Sequence, residues 1–117
     1  MGAPQITGHV RASEREQFER HARRFGLDVA ALLTLLLVRQ LRIGDVSRLD
    51  KAAEEVPDLF STVTAHVRDP QFKTDVQALA AGASVSVSRL CAVLVRSELR
   101  EHWIERAISL PTQFESA

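Results

Sequence analysis

The pattern Thr-x-His-Val-Arg occurs twice, as Thr7-Gly8-His9-Val10-Arg11 and as Thr64-Ala65-His66-Val67-Arg68. Nothing else in the chain constrains its fold as much. A β-branched residue precedes each copy, Ile6 or Val63, and a helix start follows each. In extended backbone, successive side chains point to opposite faces. Thr7, His9 and Arg11 therefore share one face, and Ile6, Gly8 and Val10 the other. Thr64, His66 and Arg68 repeat the arrangement against Val63, Ala65 and Val67. The pattern predicts two strands, 6–11 and 63–68, paired antiparallel into a ribbon with one apolar and one polar face. A symmetric pairing is expected to set His9 opposite His66, with Cβ atoms about 5 Å apart. Two histidines are too few for a protein zinc site, so no metal or cofactor is expected. A two-stranded ribbon does fit the DNA major groove, where Arg and Thr read base edges.

The chain after each strand reads as two helices around a glycine turn. Ser13 and Glu16 have capping-box spacing. Phe18, Ala22 and Phe25 then fall on one helical face, and Gly26 stands where a C-cap glycine belongs. Asp28 suits the N-cap of a second helix, Val29 to Arg42, which is leucine-rich on nearly every side and so should be the most buried element. Gly44 ends it. After the second strand, Asp69-Pro70 is an N-cap followed by proline at the first helical position. Phe72, Val76, Leu79 and Ala80 point inward, and Gly82 stops the helix. Ser84 or Ser86 caps a last helix carrying Leu90, Val93, Leu94, Ile104 and Ala107, unbroken until just before Pro111. The strands lie 57 residues apart and the apolar helices align at 58, a slip assigned to the Gly82–Ser86 turn. The expected organisation is a first repeat over 1–44, an acidic linker over 45–60 with Ser47 as candidate cap of a short helix, and a second repeat over 61–117.

The 117 residues carry 15 basic and 15 acidic side chains. A zero total argues against a nonspecific polycation but allows local basic faces. Residues 1–44 hold seven Arg against four acids, while 45–58 hold two basic and five acidic groups. Arg15, Arg20, Arg23 and Arg24 make a basic helix face that either flanks DNA or is simply solvated. The single cysteine, Cys91, precludes an intrachain disulfide and suits a reducing cytoplasm, with no signal pattern at the N-terminus. It is expected to be a small core residue. The apolar run Val29 to Val38 is about half a bilayer span, so no membrane role is expected. Absence of tyrosine excludes a tyrosine-nucleophile relaxase or recombinase from this chain alone. There is no phosphate loop, metal-ligand spacing or nucleophile–base set, so the chain is not read as an enzyme. His21 is expected to be solvated, and Trp103 to pack the last helix on the linker.

Strand, helix, glycine turn and helix within about 40 residues resembles the ribbon-helix-helix fold of the Arc and MetJ repressor superfamily, over roughly 5–43 and 62–104. The resemblance implies a mainly α protein with a two-stranded antiparallel β-ribbon, its two ribbon-helix-helix repeats forming a single-chain pseudo-dimer. It implies sequence-specific double-stranded DNA as partner, with Thr7, His9, Arg11, Thr64, His66 and Arg68 reading bases. The N-terminus of each second helix would hold a phosphate, at Asp28 and Val29 and at Ser84, Val85 and Ser86. Two departures stand out: both copies lie in one chain, and Asp28 puts an anion at a phosphate position. The resemblance implies a transcriptional regulator or a DNA-transfer accessory protein, and the tandem copies are similar to those of plasmid conjugation (relaxosome-type) accessory proteins. The alternative is an antitoxin-like module that binds another protein through its linker or last helix.

Overall fold

In the computed structural model the chain runs β1 (Gln5–Arg11), α1 (Ala12–Arg23), α2 (Val29–Ile43), β2 (Phe60–His66), α3 (Pro70–Gly82) and α4 (Val87–Glu101). The structure describes residues 5–44, 60–67 and 69–108. The expected linker and its short helix, Arg68, and the C-terminal tail lie outside these residues.

β1 and β2 form a two-stranded antiparallel sheet in an otherwise helical molecule. Thr7 pairs with Thr64 at its centre. The second strand begins earlier than expected, at Phe60, because the antiparallel register carries it down to the partner of Arg11. Ile6, Gly8 and Val10 face inward with Val63, Ala65 and Val67, all buried. Large residues meet small ones across the strands: Ile6 opposes Ala65 and Val63 opposes Gly8.

β1 lies across α4, whereas β2 lies across α2, so each strand rests on the long helix from the other part of the chain. Leu32, Leu33, Leu36 and Leu37 of α2 and Leu90 and Leu94 of α4 fill the space below. Each such leucine stabilises the fold by about 1.5–3 kcal/mol relative to an exposed position. Cys91 is buried among them, as expected. Gly8 is the point of closest approach: a Cβ there would stand 2.4 Å from the Cys91 Cβ and 3.0 Å from the Ser88 carbonyl oxygen.

The caps refine the expected boundaries. α1 starts directly from the strand, with Arg11 as N-cap. Glu14, not Glu16, reaches back to the Arg11 backbone N–H at 2.8 Å, so the expected Ser13–Glu16 box is displaced by two residues. Glu14 also accepts from Arg96 Nε at 2.8 Å, tying α1 to α4. Asp28 accepts from the Ala31 N–H, and Ser86 from the Arg89 N–H. These N-caps are 58 residues apart, as are the left-handed C-caps Gly44 and His102. The buried pairs Phe18 and Val76, and Ala22 and Ala80, keep the same spacing. Thr7 and Thr64 differ by 57, so the extra residue sits between β2 and α3 rather than in the 82–86 turn, where it was expected.

The last helix is broken. α4 stops at Glu101, His102 adopts φ 52, and a short helical segment follows over 103–108. Glu98 causes the break. Its carboxylate accepts from the backbone N–H groups of Trp103 (3.2 Å) and Ile104 (3.1 Å), so it caps the segment that follows. His21, expected in solvent, is buried against it, with Nε2 2.8 Å from Glu98 Oε2 and side-chain exposures of 5% and 0%. Trp103 sits beneath the Arg39 guanidinium, 4.8 Å from the ring centroid. Burial pushes the Arg39 guanidinium below its ordinary value, and the negative charge of Glu98 and Glu101 opposes that shift. Among the described residues no single helix is long and apolar enough to cross a membrane.

Candidate nucleic-acid interface

The outward face of the ribbon is polar from the Gln5–His66 pair to the His9–Thr62 pair. β1 presents Gln5, Thr7, His9 and Arg11, and β2 presents Thr62, Thr64 and His66. The histidines and Thr62 are exposed and the two threonines at the centre are half-buried. Thr7 and Thr64 hydroxyls lie 3.3 Å apart, joined by a hydrogen bond. His9 pairs with Thr62 and His66 with Gln5. The expected facing of His9 and His66 is therefore wrong. The centre of the ribbon falls on Thr7–Thr64, which puts one histidine two residues to each side. Four residue steps separate them, about 13 Å along the ribbon. Among the described residues no group of three metal-ligating side chains exists either.

Arg11 occupies the end of the ribbon. It is half-buried and its Nε is enclosed, because its backbone already turns into α1. Arg15, one turn into α1, comes alongside the second strand and donates to the Thr62 carbonyl oxygen at 3.0 Å, while pairing with Glu19 at 3.3 Å. Gln5 and Thr62 belong to the same outward face although neither falls within the repeated pentapeptide. Extending the alternation one step before Thr7 and one before Thr64 would have found both.

A long helix begins at each side of the ribbon. The start of α2 borders β2 across an open groove of about 310 Å³ lined by Arg15, Glu19, Asp28, Thr62, Thr64 and His66. Asp28 uses its carboxylate to cap the helix, accepting the Ala31 N–H at 2.7 Å, and Val29 behind it is buried. At the other side, the first turn of α4 meets β1. The Ser88 hydroxyl is 3.2 Å from the His9 backbone nitrogen and 2.9 Å from His9 Nδ1. Of the expected phosphate positions there, Ser86 is the N-cap. Ser84 and Val85 instead donate their amides to Ala81 and Ala80 oxygens, closing the end of α3. The two helix starts thus differ by a charge: a carboxylate caps α2 and a hydroxyl caps α4.

No family model, curated protein or solved structure matches this chain.

The chemistry available to the face follows from its side chains. Hydroxyl, amide and imidazole groups each offer both donors and acceptors, and they sit on a backbone immobilised by two packed helices. Such a row discriminates hydrogen-bonding patterns, not charge. Helix-end amides beside it attract an anion where no carboxylate competes, which favours the α4 side over the α2 side.

Proposed function

We propose that the chain is a sequence-specific double-stranded DNA-binding protein that lays its β-ribbon in the major groove. The observation that carries this reading is the ribbon's outer face: seven hydrogen-bonding side chains at alternate positions of the two strands over a buried apolar underside, with a helix start on either flank. A two-stranded ribbon has the width the major groove admits. On this reading the two strand–helix–helix units are repeats that act as a fused ribbon-helix-helix pseudo-dimer, and the shared 58-residue spacing of caps and buried positions supports that. Thr7, His9, Thr64 and His66, joined by Gln5 and Thr62, read bases. Arg11 bounds one end of the reading face, Arg68 is included as a base reader on its sequence pattern alone, and the start of α4 holds a phosphate. The protein then serves as a transcriptional regulator or as an accessory factor at a DNA-transfer origin.

Selection from random duplex DNA followed by titration tests the proposal. Thr7→Ala and His66→Ala should each weaken binding to the selected site by about 1–3 kcal/mol while leaving affinity for scrambled duplex nearly unchanged. Parent affinity that falls with salt on both sequences is expected as well. Equal binding of both variants to both sequences would show that the ribbon is not the reader.

A further inference from the structure

A pocket of about 240 Å³ opens between α1 and α4, lined by Gln17, Arg20, His21, Arg24, Leu99 and His102. The four residues from α1 have the spacing of one helical face. The lining holds two guanidinium groups, two imidazoles and an amide, and no carboxylate. Arg20 pairs with Glu16 and Arg24 with Glu105, in each case through one terminal nitrogen. Both pairs are exposed, where such pairs contribute little, and each guanidinium fork has further donors. His21 forms the buried floor, held on Glu98 at 2.8 Å, with the His102 ring 4.8 Å from its own.

The fold does not need this set of side chains. Counterparts in the other strand–helix–helix unit lie 58 residues away. There Arg20, His21 and Arg24 become Ala78, Leu79 and Gly82, while Glu98 and His102 become Gln40 and Gly44. The same helix end is thus closed with small and apolar residues. Gly44 takes its left-handed cap at no steric cost, whereas His102 holds φ 52 with a side chain. A strained histidine and a buried His–Glu pair are kept at one end only, where they face the pocket.

We infer that this pocket binds a small oxyanion, a phosphate ester or a polycarboxylate, gripped by Arg20 and Arg24 with His102 and the Gln17 amide completing the ring of donors. Guanidinium forks match the paired oxygens of either group. Leu99 gives the ligand's carbon skeleton an apolar wall. The volume is below that of pockets enclosing drug-sized ligands, so the occupant is small. Both helices carry the site away from the ribbon. Arg24 lies thirteen residues beyond Arg11, and His102 fourteen beyond Ser88, about 20 Å along either helix. A duplex on the ribbon leaves the pocket uncovered, so the inference stands whether or not the ribbon reads DNA.

Calorimetric titration of the full chain with pyrophosphate and with citrate, at ionic strength fixed by chloride, tests this. One saturable site should appear, with a dissociation constant of about 1 mM or below, and the tighter probe identifies the ligand's class. Arg20→Gln and Arg24→Gln should each weaken binding about tenfold. Arg23→Gln, on the same helix but outside the pocket, should leave it unchanged. His102→Gly installs the residue that the other helix end uses. It should melt no lower than the parent yet bind the probe about fivefold more weakly. In NMR spectra the Gln17 side-chain amide and the Arg20 and Arg24 Nε signals should shift together as the probe is added. No saturable binding of either probe up to about 20 mM overturns the inference. So does equal loss in Arg23→Gln and Arg24→Gln, or undiminished binding in His102→Gly. Displacement of bound probe by duplex DNA would put a backbone phosphate in the pocket and overturn the small-ligand assignment.

Discussion

At Gly8 the ribbon and α4 come together with no room for a side chain. Gly8→Ala would drive a methyl group into Cys91 and the Ser88 carbonyl oxygen, at 2.4 and 3.0 Å. Backbone cannot yield cheaply, so the substitution should destabilise the fold by about 1–3 kcal/mol, read from the denaturant midpoint. Ala65 holds the corresponding place on the other strand and already carries its methyl group, so the two contacts differ in spacing. Cys91 supplies a second test. Burial pushes its thiol from 9.0 to about 12. In the unfolded chain the thiol ionises near 9, so above that pH the unfolded state binds fewer protons than the native state. Stability from this group is intact below pH 9 and is lost as pH rises toward 12. Between pH 8 and 11, the parent should therefore lose stability more steeply than Cys91→Ala, which keeps the Cβ that touches the ribbon.

Among the elements, the turn after α4 depends on one carboxylate. Glu98 accepts from two backbone N–H groups and from His21 in a site closed to solvent. Glu98→Ala leaves those donors unsatisfied and should lower stability by about 3 kcal/mol or more. Hydrogen exchange should show protection lost first in 103–108. Glu98→Gln keeps an acceptor and should fall between. This part of the fold was not legible in the sequence. A glutamate near a helix end reads as solvated, and its partner His21 is 77 residues away. The chain has no glycine or proline between Glu98 and Ile108, so the last helix reads as continuous. Elements set by local periodicity were legible: strand faces from alternation, α1 and α3 from apolar spacing, and α2 from its leucines. Register was not, because the repeated pentapeptide names which residues share a face but not which pair lies at the centre. The site inherits that limit. Thr7 and Thr64 were placed on the right face, yet the separation of the histidines and the Ser88 contact depend on tertiary packing.

At the scale of the whole molecule, neither part of the chain owns its core. β1 packs on α4 and β2 on α2, so separating the parts would expose the underside of both strands together with the leucines of both long helices. Unfolding should therefore be a single transition, with near-ultraviolet signals from Trp103 and far-ultraviolet helix signal lost together. A fragment spanning 1–44 should not fold as a monomer. The intact chain, having both sides of its core, should sediment near 13.0 kDa at micromolar concentration.

The unequal helix caps carry one more consequence. Two identical chains paired about a two-fold axis cannot tell left from right, and neither can a palindrome beneath them. Here α2 begins with the carboxylate of Asp28 and α4 with the hydroxyl of Ser86. In the proposed complex the protein would grip the duplex backbone firmly at one shoulder and loosely at the other. It would thus confer a heading on the DNA, so that machinery arriving from upstream and from downstream would meet two different faces of one small protein.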